Sequence, residues 1–518
     1  MKKRNVFKVL GIATMLSATA LALTSCADFL KQLFDLVTTE LGITEEYDPD
    51  EFATTVQENG EYSKFNYQQL YEANHDAITP GKGTVNILVV PVQWKDLTTF
   101  TSNDLSTINA AFNGTKEDNT NDYWESVKSF YYKSSNGILN FNFTVSDIYV
   151  PTYRSSIFLS QVDDYGTETS TLLDEMESRG VTVKGSRVNF KDSKWDSNND
   201  KYMDGIWMIY NEKDSGKVDT THFWAYVTNY YGENTNSGLG RYGNCALSFL
   251  YEDSIKGHDA HTLIHETGHM LGLDDYYDYN NPDNDYSFDG GLNMMNLNIG
   301  DHDSYSKYSL GWTKSLVVNE SKTYTLKPFE ESFDSLIIPS GSYNESCFSE
   351  YYLIEFYTPT GLFKLDATHN YRLQYPKFFT QKGLRIRHID ARLAMANYNG
   401  TTFNFENYLD STITKIPEIS GTSSYIRYPV VAHTNSLNDR NRNKDRKPLI
   451  ELASRTQTRL YRNRYANDLD LYKKGDTINA SSLSETLSNG KFYDGSSFTA
   501  QITVDDITDE AATLTISL

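Results

Sequence analysis

A chain of 518 residues with 69 acidic against 47 basic side chains carries a formal net charge of −22. That surplus argues against a nucleic-acid partner, because phosphate binding rests on clustered positive charge, and the length allows two or three domains, each with its own core. Hydrophobic residues at 39% and aromatics at 14%, with 38 tyrosines, belong to a folded globular protein with broad amphipathic surfaces.

The first residues read as a processing signal. Met1-Lys-Lys-Arg is a basic opening, Val9 to Leu23 is an apolar stretch too short for a typical spanning helix, and Leu23-Thr24-Ser25-Cys26 resembles the bacterial lipobox. The pattern implies a signal peptide over 1–25 and a diacylated Cys26 holding the mature chain on the extracellular face of a bacterial cell membrane. An ordinary secretory signal with a chance cysteine is the alternative. Only Cys245 and Cys347 then remain; one bridge and two buried thiols are both open. Residues 26–80, with Leu30, Leu33, Phe34 and Val37 at helical spacing, read as a membrane tether or a short pro-segment covering the active site.

A catalytic domain is expected over 81–314. Thr84 to Trp94 is an apolar run suited to a strand buried on both faces. Helical spacing follows at Leu105/Ile108/Phe112 and at Tyr123/Val127/Phe130/Tyr131, and Leu139, Phe141, Phe143 and Val145 alternate as in a half-buried strand. A helix is predicted over Thr167 to Arg179, ending at Gly180, with strands over Gly205 to Tyr210 and Cys245 to Tyr251. Between them, Asp196, Asn198, Asp200, Tyr202 and Asp204 place oxygen atoms on alternate residues, a spacing that wraps a hard cation such as calcium, with Tyr202 offering its backbone carbonyl. Trp207 stands where an EF-hand loop has its glutamate, so an Asx-rich turn is the alternative.

The stretch that organises the chain is His261-Thr-Leu-Ile-His265-Glu266-Thr-Gly-His269-Met-Leu-Gly272-Leu-Asp-Asp275. Positions four apart share a helix face, so His265 and His269 can meet one zinc ion. Glu266 is placed to take a proton from a metal-bound water. Gly272 can end the helix and turn the chain back, delivering Asp275 as third ligand and leaving the fourth position to water, as in catalytic zinc sites. His261 reads as a helix-start residue. Met295 of the Met294-Met295 pair is the candidate for a methionine floor beneath the metal, and His302, Tyr305 and Tyr308 are the candidate oxyanion donors because they follow it. For the acidic loop of Asp274, Asp278, Asp283, Asp285 and Asp289 a solvated loop is the default reading and a second ion site the alternative.

From about Ser315 the pattern changes to short alternating segments: Lys322–Leu326, Ser335–Pro339, Tyr351–Phe356, Leu384–Ile389, Phe498–Val504 and Thr513–Leu518. Nine basic residues gather between Arg440 and Arg464; a solvated loop is the default reading and contact with an anionic surface the alternative.

His265-Glu266-Thr-Gly-His269-Met-Leu-Gly272-Leu-Asp-Asp275-Tyr-Tyr-Asp278, Gly290-Gly-Leu-Asn-Met-Met295-Asn and Asp301-His302-Asp-Ser-Tyr305-Ser-Lys307-Tyr-Ser-Leu-Gly311-Trp312 together resemble the immune inhibitor A family of bacterial metallopeptidases, including its lipoprotein-anchored relatives. The resemblance runs from about Thr84 to Asp390. It departs at Asn293 and Asn296, where aspartate is expected, and in the short 27–80 segment. It implies His265, His269 and Asp275 as zinc ligands, Glu266 as the catalytic residue, and protein or peptide substrates. The expected fold is α+β: a zincin-like metallopeptidase domain with an active-site helix, then one or two β-rich, sandwich-like domains over 315–518. A non-catalytic surface-binding lipoprotein on a peptidase scaffold is the rival reading. Oligomeric state is not legible in the sequence.

Overall fold

Among the described residues the chain forms four larger sheets and one two-stranded hairpin. The computed structural model describes residues 60–114, 125–156, 167–214, 223–230, 238–251, 258–279, 287–371, 375–422, 425–436, 444 and 447–518. The signal segment, Cys26 and the apolar spacing at 30–37 lie outside them. The fold is mixed α and β with several sheets and few helices.

The first sheet holds β1 (Gly83–Val92), β2 (Leu139–Val145), β5 (Ile206–Tyr210), β6 (Tyr226–Asn229) and β7 (Arg241–Ala246), in the order β2-β1-β5-β7-β6. A two-residue hairpin of β3 (Thr182–Val183) and β4 (Ser186–Arg187) stands apart. β1 pairs in parallel with β2 and β5, and its apolar run is buried on both faces, as interior parallel strands require. β2 is an edge, so only alternate residues are covered. β6 is the other edge and the one antiparallel member; all four of its residues are half-buried.

Helices α1 (Tyr67–Ala73), α2 (Ser102–Asn113), α3 (Val127–Ser134), α4 (Thr167–Arg179), α5 (His261–Met270) and α6 (Ser304–Ser309) surround this sheet. Thr101 and Ser126 form capping boxes at the starts of α2 and α3, which satisfies amide hydrogens with no partner inside the helix. The predicted strand over Cys245 to Tyr251 is corrected: β7 ends at Ala246, and Leu247–Tyr251 is a short 3-10 turn. Its residues Leu247, Phe249 and Leu250 are fully buried, and a short buried apolar run has no periodicity to separate strand from helix.

The second sheet comprises β8 (Leu316–Val317), β10 (Ser335–Pro339), β11 (Glu350–Tyr357), β12 (Gly383–Asp390) and β17 (Ile450–Leu452); the third, β13 (Leu393–Tyr398), β14 (Phe403–Tyr408), β15 (Ser420–Thr422) and β16 (Tyr425–Val431); the fourth, β9 (Lys322–Leu326), β18 (Thr477–Ile478), β19 (Gln501–Ile507) and β20 (Ala512–Ser517). The second and fourth share one core, in which Leu336, Ile354, Phe356 and Ile386 meet Leu326, Ile502, Val504 and Leu514. The two sheets packed on that core form a sandwich-like pair.

The opposite face of β11 and β12 is charged and equally buried. Glu355 pairs with Arg385 and Arg387, Arg387 reaches Asp303 at 3.2 Å, and the Ser304 amide donates to Glu355. Burial opposes charge on Glu355, but the two guanidiniums outweigh it and hold the carboxyl at about 2. The β-rich region is thereby locked onto the start of α6. Residues 60–80 are integral as well: Phe65, Tyr67, Leu70 and Ile78 are buried, and the Ile419 amide donates to Ala73.

Candidate metal centre

His261 opens α5, and its Nε2 lies 3.0 Å from the Asn298 carbonyl, so it serves the helix start and not the centre. One and two turns later, His265 and His269 each place Nδ1 2.8 Å from a carbonyl, of Met294 and of Leu273 respectively. A carbonyl can only accept, so both Nδ1 atoms carry the hydrogen and both Nε2 atoms keep a lone pair for a metal. α5 ends at Met270 and Gly272 turns the chain at φ +99°. Asp275 Oδ1 then lies 3.1 Å from His265 Nε2 and 3.2 Å from His269 Nε2.

Among the described residues, His265, His269 and Asp275 are the one group of His, Cys, Asp or Glu drawn together closely enough to hold a metal ion. Two imidazoles with oriented lone pairs and a carboxylate fit a borderline divalent cation.

Glu266 lines a cleft of about 640 Å³ together with His269 and Asp275. Burial raises its carboxyl above the usual range against the pull of His269 and His265. Met295 packs against α5: a Cβ added to Gly268 would lie 2.4 Å from Met295 Sδ, so glycine at that position lets the turn approach the helix. Asn293 Oδ1 accepts the Met295 amide, and the Asn296 amide donates to Tyr276 O and Asp289 Oδ1. An aspartate at 296 could not donate, which accounts for one departure from the expected pattern.

His302, Tyr305 and Tyr308 are not brought to the cleft, which corrects their choice as oxyanion donors. All three are buried behind α5. His302 contacts Tyr131 and Trp312, and burial pushes it down to about 3. Tyr305 and Tyr308 share hydroxyl contacts with Tyr67 and Tyr343. Sequence reasoning passed over Tyr277 and Tyr279, two and four residues past Asp275, which both line the cleft. Tyr279 donates its hydroxyl to Asp275 Oδ2 at 2.6 Å, and the Tyr277 ring stands 6.4 Å from that of His265.

The cleft is walled on one side by Trp224 to Val227, including the start of β6, and on the other by α1 and by Tyr428 to Val431 of β16. Thr434 Oγ1 donates to Asp274, and Asn435 donates to Tyr276 O, so the segment after β16 holds the loop bearing Asp275.

In the 196–204 loop, Asp196 accepts the amides of Asp200 and Lys201, Asp200 that of Tyr202, and Asp204 that of Ser197. These are Asx-type turns. Burial, with Asp196 and Asp200 nearby, pushes Asp204 up to about 7. Four arginines of the basic run, Arg455, Arg459, Arg462 and Arg464, are paired with Asp476, Glu451, Asp278 and Asp470, so much of that charge is answered within the fold. Cys245 and Cys347 are unbridged and buried. No helix among the described residues is long and apolar enough to cross a membrane. The chain matches no protein-family model and no curated protein.

Proposed function

We propose that the protein is a zinc-dependent endopeptidase, related to the immune inhibitor A metallopeptidases that its motifs resemble. The observation that carries this reading is the pair of Nδ1–carbonyl contacts, which leaves two Nε2 lone pairs and Asp275 Oδ1 facing one point, with Glu266 beside them in an open cleft. A zinc ion held there supplies Lewis acidity and a water of lowered pKa.

The chain's own residues do the rest. Glu266 takes the proton of the attacking water and passes it to the leaving amine, roles suited to a carboxyl lifted toward neutrality. Tyr277 is the cleft hydroxyl placed to donate to the developing oxyanion. The edge strand β6 lines the cleft and offers an extended peptide a strand to lie beside, which aligns the scissile bond along the cleft.

Two further readings belong with this one. The lipobox-like Cys26 places the enzyme on the outer face of a bacterial membrane, tested by palmitate labelling that disappears in Cys26→Ala. The alternating oxygen atoms of Asp196, Asn198, Asp200, Tyr202 and Asp204 carry a calcium reading by their spacing in the sequence, tested as a rise in melting temperature with millimolar calcium.

The deciding experiment measures metal content and casein cleavage on the purified chain and on Glu266→Ala. About one zinc in both, with chelator-sensitive cleavage in the wild type alone, is the expected result. Equal cleavage by Glu266→Ala would overturn the mechanism, and zinc without cleavage would favour a binding protein on a peptidase scaffold.

A further inference from the structure

Arg241 opens β7, opposite Asn229 at the far end of β6 from Tyr226. It lines the same cleft as Glu266 and Asp275, where every other charged side chain apart from histidine is acidic: Asp76, Glu266, Asp274 and Asp275. Its guanidinium lies 4.8 Å from the centroid of the Tyr71 ring. Tyr71 in turn abuts Gly272, where an added Cβ would meet its ring at 2.8 Å. Arg241 is therefore fixed in place, one aromatic ring away from the turn that follows His269.

What it lacks, among the described residues, is a hydrogen-bonding partner. Nε and Nη1 are shielded from solvent and make no hydrogen bond. Arg392, Arg459 and Arg464 all meet carboxylates directly, whereas Asp76 acts on Arg241 only through its field. Arg241 as a whole is half-buried and lines the cleft, and a guanidinium with unmet donors is unfavourable unless another molecule completes it. Its planar fork matches a carboxylate with two parallel hydrogen bonds.

We propose that Arg241 anchors a carboxylate of the peptide substrate, so that the cleft selects peptides bearing an acidic group at the subsite opposite Asn229, several residues along β6 from the metal centre. The proposal rests on the peptidase reading and adds to it a substrate class. The carboxylate is either an acidic side chain or the α-carboxylate of a peptide ending at that subsite. Because Arg241 touches neither the metal ligands nor Glu266 by any hydrogen bond, it acts on binding and not on the chemical step. A site built to pair a charged group discriminates strongly against a ligand that lacks it.

The test uses the zinc-loaded full chain and three matched peptide series: one with Asp or Glu scanned through each position and an amidated C-terminus, one neutral with a free C-terminus at varied length, and one neutral and amidated. The wild type is expected to prefer one carboxylate-bearing series over the neutral amide by at least about tenfold in kcat/KM. Arg241→Gln should bring that ratio near one through KM, with kcat for the acidic peptide changed less than about twofold, and Arg241→Lys should fall between them. Melting temperature and zinc content report whether each variant is folded. Preference in the side-chain series assigns an acidic residue, and preference in the free-acid series assigns a chain terminus. Cleavage of all three series without preference, or a preference that survives in folded Arg241→Gln, overturns the anchor alone. Cleavage of none by the zinc-loaded wild type overturns the peptidase reading and the anchor with it.

Discussion

Met295 lies so close beneath Gly268 that a Cβ on the glycine would sit 2.4 Å from its sulfur and 3.1 Å from its methyl carbon. Both residues are fully enclosed, and Met295 is at 0% exposure, so the sulfur has no vacant space to enter. Gly268→Ala would ordinarily favour a helix by about 1 kcal/mol. Here overpacking reverses the sign, and a net loss of about 1–3 kcal/mol is expected in denaturant unfolding. Met295→Ala in the Gly268→Ala background should recover part of that loss, a coupling readable as a double-mutant cycle.

Tyr279 holds the oxygen of Asp275 that faces away from the histidines. Tyr279→Phe keeps the ring and removes the donor. Zinc affinity is expected to weaken about tenfold, measured by competition with a fluorescent chelator, and excess zinc should restore cleavage. An unchanged affinity would mean that the hydroxyl does not orient the ligand.

Asp366, on the short helix Lys364–Thr368, accepts the Ile299 amide and the Asn298 side chain. Burial raises its carboxyl to about 7. With the folded value above the unfolded one, the folded chain holds the proton more tightly. The associated stability is therefore complete below about pH 4 and is lost as pH rises to about 7. Asp366→Asn should remove a slope worth a few kcal/mol, to order of magnitude, from the difference between the wild-type and variant pH–stability curves. Parallel curves between pH 4 and 7 would show that the carboxyl titrates normally.

The thiols of Cys245 and Cys347 are unpaired, and burial pushes Cys347 up to about 12 and Cys245 well above its ordinary range. A thiol needs its thiolate to react. Neither should label with a thiol reagent in the folded chain, both should label after denaturation, and reductant should leave the melting temperature unchanged.

The sequence by itself determined what short spacings can determine. His265, Glu266 and His269 share one helix, Gly272 turns the chain, and Asp275 follows within a few residues, so local geometry is enough to gather three metal-ligating groups. β1, β2 and the alternating strands of the sandwich were legible for the same reason, since burial on one or both faces writes a period into the residues themselves. Only the tertiary structure decided the rest of the cleft. Tyr71, Arg241 and Tyr428 arrive from segments far apart in the chain, and no local period records which distant surfaces will meet. The same limit misplaced the oxyanion donors: His302, Tyr305 and Tyr308 follow the methionine turn closely, yet His302 meets Tyr131, and α6 turns Tyr305 and Tyr308 toward Tyr67 and Tyr343. Nearness in sequence fixed their order, while the packing of α6 fixed which way they face.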